Sequence, residues 1–300
     1  MPAFCRHNRF LANCPICTRE QAGANPRPSS PTRPRSAPRA PKAAGAPRRP
    51  SSTGIRTRKL ARDADDGYRS ELVPGVKATA DAERLARSLA AAAARLEFPG
   101  PYEAVATEPD LEEATWLAFL LALTGPDAPD AQAELIRTRP PWSGGQVPRM
   151  GSEASLTAAA YRAWAARSGG QAAAFTGEAG WTPVRRFSRL FERLAIPDFR
   201  RAARFELLTV LGAAGLYAVE AGSLHLGGED PTTQAAKRAL VSGDVVLLDR
   251  RAAALAGAAR IPLAALDRGL QTWNARKSRV PELGEDEPAA LPGVRAALGL

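Results

Sequence analysis

Four residues near the N-terminus have the types and spacing of a metal site. They read Cys5-Arg6-His7, then Cys14-Pro15-Ile16-Cys17, so all three cysteines and one of the two histidines lie in one short stretch. The Cys-Pro-Ile-Cys step is a C-x-x-C knuckle, in which two thiolates grip one ion. Cys5 and His7 supply the other corners of a tetrahedron. The spacing therefore predicts one structural zinc, because four protein ligands leave no position open for water. So short a segment has no core of its own and folds only on its metal. Two other readings of these residues are free thiols that cluster and a redox C-x-x-C, a motif that normally opens a helix after a strand. With His7 on the metal, only His225 is left for acid–base work, and it sits among apolar residues in Ser223-Leu224-His225-Leu226. No Ser-His-Asp or Cys-His arrangement is expected. Neither G-x-x-x-x-G-K-[ST] nor G-x-G-x-x-G occurs, which removes phosphate cradles of those types.

A second group of candidates lies between residues 171 and 211. Phe187, Leu190, Phe191 and Leu194 form one apolar stripe, and Phe199, Phe205, Leu207, Leu208 and Leu211 form another. Arg185, Arg186, Arg189, Arg193, Arg200, Arg201 and Arg204 lie between them. Two helices joined at Ile196-Pro197-Asp198 would present backbone N–H groups and guanidinium forks to a phosphate. Ordinary amphipathic helices with solvated arginines fit the same pattern. Gln171, Glu178 and Trp181 precede this unit; a tryptophan beside an acid and an arginine frames a pocket or is simply core. Lys237 and Arg238 make a second, weaker basic spot.

These residues need elements to hold them. Residues 1–19 form the zinc knuckle. Residues 20–58 are rich in Pro, Ser, Ala and Arg without hydrophobic period, and they cannot bury enough apolar area to offset their ordering entropy. They read as a disordered basic linker. Residues 60–278 read as a helical domain, and 279–300 as an acidic, mobile tail. Helices are expected over 79–97, 111–124 (capped by Asp110), 129–138, 154–168, 171–178, 182–194 (capped by Thr182, with Pro183 at its first turn) and 198–211 (capped by Asp198). Three more follow: one opened by Asp230-Pro231 and ending at Leu240, one over 245–258 behind Asp244, and one over 262–274. Residues 215–228 alternate enough for a two-stranded hairpin. Residues 138–153 form a long irregular loop of the kind that carries function or mobility. Asp63, Asp65 and Asp66 before Gly67 resemble a calcium loop without its closing glutamate, so a capped turn is expected there. Glu112 and Glu113 suit the positive end of a helix dipole. The fold class is all-α.

Charge is distributed unevenly. The formal net charge is +10, yet residues 1–62 hold 14 Lys and Arg against the single acid Glu20, which leaves the rest of the chain slightly acidic. A basic arm suits nucleic acid, through counterion release, or serves as a solvated linker. The longest apolar run, residues 116–123, is far shorter than the roughly 20 residues a membrane span requires. No secretory signal is seen either, and a cytoplasmic location is expected. There the three cysteines favour metal or free thiols over disulfides.

The stretches "FCRHNRFLANCPICTREQ", "RKLARDADDGYRSELVPGVK", "EEATWLAFLLAL", "AYRAWAARSGGQAAAFTGEAGWTPVRRFSRLFERLAIPDFRRAARFELLTVLG" and "AAKRALVSGDVVLLDRRAAALA" resemble a family found chiefly in high-GC bacteria. It is the alpha-glutamyl/putrescinyl thymine pyrophosphorylases, clade 3. The resemblance implies an all-helical fold similar to helix–hairpin–helix DNA glycosylases. It also implies DNA modification, in which a pyrophosphorylated hydroxymethyl pyrimidine loses pyrophosphate to an incoming amine. Such an enzyme extrudes a base and holds an anionic leaving group. By that resemblance Arg185, Arg186 and Arg204 serve the anion, Glu178 the amine and Trp181 the base face, with Gln171, Arg200, Lys237 and Arg238 as further contacts to substrate or DNA. The chain departs from the glycosylase pattern in two places. The turn Ile196-Pro197-Asp198-Phe199 lacks glycine. Where the glycosylases carry an aspartate ahead of the next helix, this chain has Thr233, with Asp230 three residues earlier. Two other functions stay open: a non-catalytic zinc-containing nucleic-acid-binding protein or adaptor, and a scaffold that docks a protein partner through the knuckle.

Overall fold

The computed structural model describes residues 64–97, 102–143, 151–275 and 287–300. The expected zinc knuckle at 1–19, the expected linker at 20–58, the middle of the 138–153 loop and residues 279–286 of the expected acidic tail lie outside these residues. Leu60–Leu300 clusters as one unit. Twelve helices occur among the described residues: α1 Thr79–Ala94, α2 Glu103–Ala106, α3 Leu111–Thr124, α4 Pro129–Thr138, α5 Ser152–Ala166, α6 Gln171–Thr176, α7 Pro183–Arg193, α8 Arg201–Ala213, α9 Pro231–Leu240, α10 Val245–Ala259, α11 Leu263–Asn274 and α12 Leu291–Leu298.

The helices begin where side chains offer acceptors to otherwise unpaired N–H groups. Asp110 accepts from Glu112 and Glu113, Thr182 from Arg185, Asp230 from Thr232 and Thr233, and Asp244 from Val246 and Leu247. The aspartates before Gly67 form the expected capped turn. Asp65 accepts from the Gly67 N–H, and Asp66 accepts from Tyr68 and, across the turn, from Thr79 at the start of α1.

The helices fall into two groups. In one, α1 packs on α11 and α12, α11 packs on α9 and α10, and α10 also meets α12. In the other, α3 is the axis, contacting α2, α4, α5, α6 and α8. Helix α8 touches both α3 and α11 and so joins the groups. The axis must be apolar all round to play this part, and Trp116, Phe119 and Leu120 are fully buried. Phe119 stacks on Tyr161 with ring centroids 3.8 Å apart. At the α1–α11 crossing the backbones approach so closely that a Cβ on Gly269 would lie 2.6 Å from a Leu89 methyl.

Two acids on α3 act beyond their own helix. Glu112 accepts from the Gln171 and Ala172 N–H groups and thereby caps α6. Glu113 accepts from the Trp142 and Ser143 N–H groups. Both sit in the first turn of α3, where the dipole favours negative charge, and both also fix a distant segment.

Three expectations are corrected. Residues 215–228 contain no strand; they form an irregular loop in which Leu224 and Leu226 are buried and the Leu224 carbonyl is bonded by Arg201. Asp198 does not cap α8. It has φ of +58°, and the N-cap is Arg200, which makes no side-chain cap bond. The end of the chain is not a free tail, since α12 buries Leu291, Val294 and Leu298, and the Leu298 carbonyl accepts from the Tyr68 hydroxyl. The acidic composition of 282–287 hid this short apolar stripe. The short helix α2 was not anticipated.

Candidate functional site

A cavity of about 430 Å³ opens where the two groups of helices meet. The C-terminal end of α3, the start of α5, the turn before α8, α8 itself and α11 enclose it. Ala122, Leu123, Ala202 and Ala203 give it apolar walls. Its charged lining is one-sided: Asp127, Glu153, Asp198, Glu206 and Asp267 face a single cation among the described residues, Arg200.

Asp267 differs from the others in burial, at 5% exposure. It has an ion pair with Arg201, itself 7% exposed. Arg201 also bonds the carbonyls of Leu224 and His225 and lies 3.7 Å from the Asp230 carboxylate. Burial pushes the Asp267 carboxyl up from the usual range, and the Arg201 charge opposes that shift. On the cavity's other side, Glu206 accepts from the Tyr102 hydroxyl. Burial, with the Glu206 charge, drives that phenol far above its ordinary value.

The residues expected from sequence to act together are dispersed. Gln171 is fully buried and bonded to the Glu112 carbonyl and carboxylate and to the Tyr161 hydroxyl, so it braces α6 against α3. Arg186 bonds the carbonyls of Thr176, Trp181 and Ala218 and ties the end of α6 and the turn after it to the loop after α8. Arg204 stands over the Phe191 ring and donates to the Phe191 carbonyl. Arg238 pairs with buried Asp81 and lies 4.0 Å over the Trp273 ring. Asp81 also accepts from the Trp273 indole at 2.8 Å, so this carboxylate joins α1, α9 and α11. Glu178 and Trp181 do meet, with the indole donating to the carboxylate at 3.0 Å, in an exposed turn beside Gly177. A Cβ on Gly177 would lie 2.6 Å from the Trp181 ring, and Gly177 has φ of +63°, so glycine is needed there twice over. Arg185, Arg200 and Lys237 are exposed. Of these residues only Arg200 lines the cavity.

Sequence reasoning missed Glu206 and Asp267. Each is one acid on an amphipathic helix, with no motif around it. The available signal was an acid at a core position, since Asp267 lies between Leu266 and Leu270 on the buried stripe of α11.

The loop after α8 holds a further arrangement that was not anticipated. His225 stacks on Phe191 with centroids 4.3 Å apart, and its Nε2 lies 3.4 Å from the Ser188 hydroxyl. Asp249 does not reach the imidazole, because its oxygens accept from the Ser223 hydroxyl and the Leu224 N–H. No Ser-His-Asp chain forms. Burial holds the His225 pKa below its ordinary value; Asp249 pulls it up, and Arg201 pushes it further down. With a depressed folded pKa, the unfolded chain takes the proton first as pH falls. Stability contributed by neutral His225 is therefore complete above about pH 6.5 and is lost as pH falls toward the folded value. Thermal melting at about pH 7.5 and about pH 5.5 should show a larger drop for the native chain than for His225→Phe. Equal drops would refute this linkage.

An all-α body with an open, acid-lined cavity and a basic α7–α8 hairpin defines the class of this protein. Among the described residues there is no group of His, Cys, Asp and Glu able to hold a metal ion, and no helix is long and apolar enough to cross a membrane. Residues 148–272 match the family model for alpha-glutamyl/putrescinyl thymine pyrophosphorylase, clade 3, and this match supports that family for the chain. The family is a thymine-modification-related pyrophosphorylase clade. No curated protein and no solved structure matches. The matched segment runs from just before α5 into α11 and includes every charged residue of the cavity lining except Asp127.

Proposed function

We propose that this chain is a DNA base-modifying transferase that replaces the pyrophosphate of a pyrophosphorylated hydroxymethyl pyrimidine with an amine, and that the cavity seats the amine. The excess of carboxylates in the lining carries this reading. A cleft lined mainly by one sign of charge raises the local concentration of the opposite sign, so this one favours an alkylammonium over a phosphate. The anionic partner belongs outside. Exposed Arg185, Arg189, Arg193 and Arg200, with the uncapped N-terminus of α8, form a surface suited to DNA phosphates. In the reaction the amine nitrogen attacks the methylene carbon, a C–N bond forms, and the C–O bond breaks. The electron pair leaves with pyrophosphate, and one proton is released. Arg200, the one expected contact that also lines the cavity, is the candidate to meet the leaving group of an extruded base. Cys5, His7, Cys14 and Cys17 hold one zinc in this reading, which metal analysis of the purified chain tests directly.

DNA bearing pyrophosphorylated 5-hydroxymethyluracil, incubated with the full chain and radiolabelled 1,4-diaminobutane or glutamate, should gain label and release pyrophosphate in equal amounts. Absence of both products with both amines would overturn the assignment. One observation favours a second reading, a non-catalytic nucleic-acid-binding protein or adaptor: the basic excess lies in residues 1–62. A steep salt dependence of DNA binding, abolished when the chain starts at Leu60, would support it.

A further inference from the structure

We propose that the outer face of α10 docks on the same face of a second copy of this chain, with the two helices antiparallel. Helix α10 packs on α9, α11 and α12 and buries Leu248, Ala252, Leu255, Ala256 and Ala259. A surface helix ordinarily turns charged and polar side chains to water on its other side. Here the exposed residues beyond Val245 are Val246, Arg250, Ala253, Ala254, Gly257 and Ala258, and Arg250 is their only charge. Its stem can lie along apolar surface while its head stays in water. Six large apolar side chains are exposed among the described residues, and three of them, Val241, Val245 and Val246, sit at the start of this helix. Val246, at 70% exposure, is the most open of the six. Single exposed apolar residues are ordinary, but a group of them on one face marks an interaction surface.

Charge selects a second copy as the occupant. The helix carries an acid at one end and a base at the other: Asp244 is its N-cap and Arg260 its C-cap, and both are exposed. In an antiparallel pair Asp244 of each copy comes to the end where the other holds Arg260, so two opposite-charge contacts form by symmetry. A two-fold contact needs a face that complements itself in this way. The middle of the face fits the same partner. Glycine weakens a helix interior relative to alanine, and a Cβ on Gly257 would meet nothing within 4 Å in its own chain. The lack of side-chain bulk at Ala253 and Gly257 lets a facing helix come close, so that Val246 of each copy packs on the alanines of the other. The contact is one helix wide and about 22 Å long, which is small for a stable interface, so the dimer is a weak one.

Sedimentation velocity of the full chain from about 1 μM to about 500 μM tests this. The native chain should pass from monomer to dimer, with a dissociation constant on the order of 50 μM. Val246→Asp should stay monomeric throughout while its circular dichroism matches the native spectrum, since the side chain lies largely outside the core. Arg260→Glu should weaken dimerisation about tenfold by setting a like charge beside Asp244. Adding Asp244→Asn, which keeps a capping oxygen for α10, should recover part of that loss. A native chain that stays monomeric at the highest concentration overturns the proposal and leaves the face to a different protein. A dimer that persists in Val246→Asp also overturns it, because the contact then lies elsewhere. Failure of Asp244→Asn to rescue Arg260→Glu overturns the antiparallel arrangement.

Discussion

Replacing Arg201 with methionine is expected to destabilise the protein by about 3–5 kcal/mol, the range for removing one partner of a buried ion pair. The guanidinium occupies the middle of a polar knot. It pairs with Asp267, approaches Asp230 and satisfies the carbonyls of Leu224 and His225. Methionine fills a similar volume and still packs against Phe205, whose ring lies 4.8 Å from the guanidinium carbon. The loss is therefore electrostatic. Asp267 keeps a buried charge without a counter-charge, and the buried Leu224 carbonyl and the half-buried His225 carbonyl lose their donor. Urea unfolding followed by circular dichroism measures the difference. The double variant Arg201→Met with Asp267→Asn should recover part of the loss, because the stranded charge is gone. A single variant as stable as the native chain, or a double variant with no recovery, would contradict this account. The loop at 214–230, tied to α8 through those carbonyls, should also become more susceptible to protease in the single variant.

Gly75→Ala should be the most damaging methyl addition among the described glycines, at about 3 kcal/mol or more. The Gly75 N–H donates to the Ala239 carbonyl at 2.8 Å, so this segment lies directly on the end of α9. A Cβ there would fall 1.7 Å from the Arg238 carbonyl oxygen and 2.9 Å from a Val241 methyl. A flexible side chain yields to such an intrusion, but a helix carbonyl does not. The segment must lift off α9, losing its hydrogen bond and the burial of Val73 and Val76 beside it. Gly180→Ala is the control, since nothing lies within 4 Å of its added carbon and its φ is not positive. Thermal unfolding should separate the two by many degrees. Equal melting temperatures would mean that α9 and the Gly75 segment are not in contact.

Most of the secondary structure was legible because its signals are local. Asp110, Thr182, Asp230 and Asp244 each cap the helix that their side-chain chemistry predicts. The broad apolar face of α3 was read correctly as a helix; that Ala114–Ala122 are all buried was not read from it. Where a cap was read wrongly, at Asp198, the sequence offered an aspartate after a proline, and the chain instead turned through a left-handed residue there. Helix α12 was missed because its stripe has only three apolar contacts and follows an acidic run.

The amino-acid order alone determined the all-α class, most helix starts, the concentration of basic charge in the first 62 residues and the resemblance that the match over 148–272 supports. Tertiary structure decided which charged side chains remain available for function. Arg186, Arg201, Arg204 and Arg238 look alike along the chain, yet three are spent mainly on carbonyls, a ring or a structural aspartate, and the fourth anchors Asp267. The physical reason is that capping and apolar periodicity act over a few residues, whereas partner choice for a long charged side chain depends on what the packed helices bring within hydrogen-bond reach. The acid-lined cavity has the same origin: its carboxylates come from segments as far apart as Asp127 and Asp267, and only the meeting of α3, α5, α8 and α11 places them around one space.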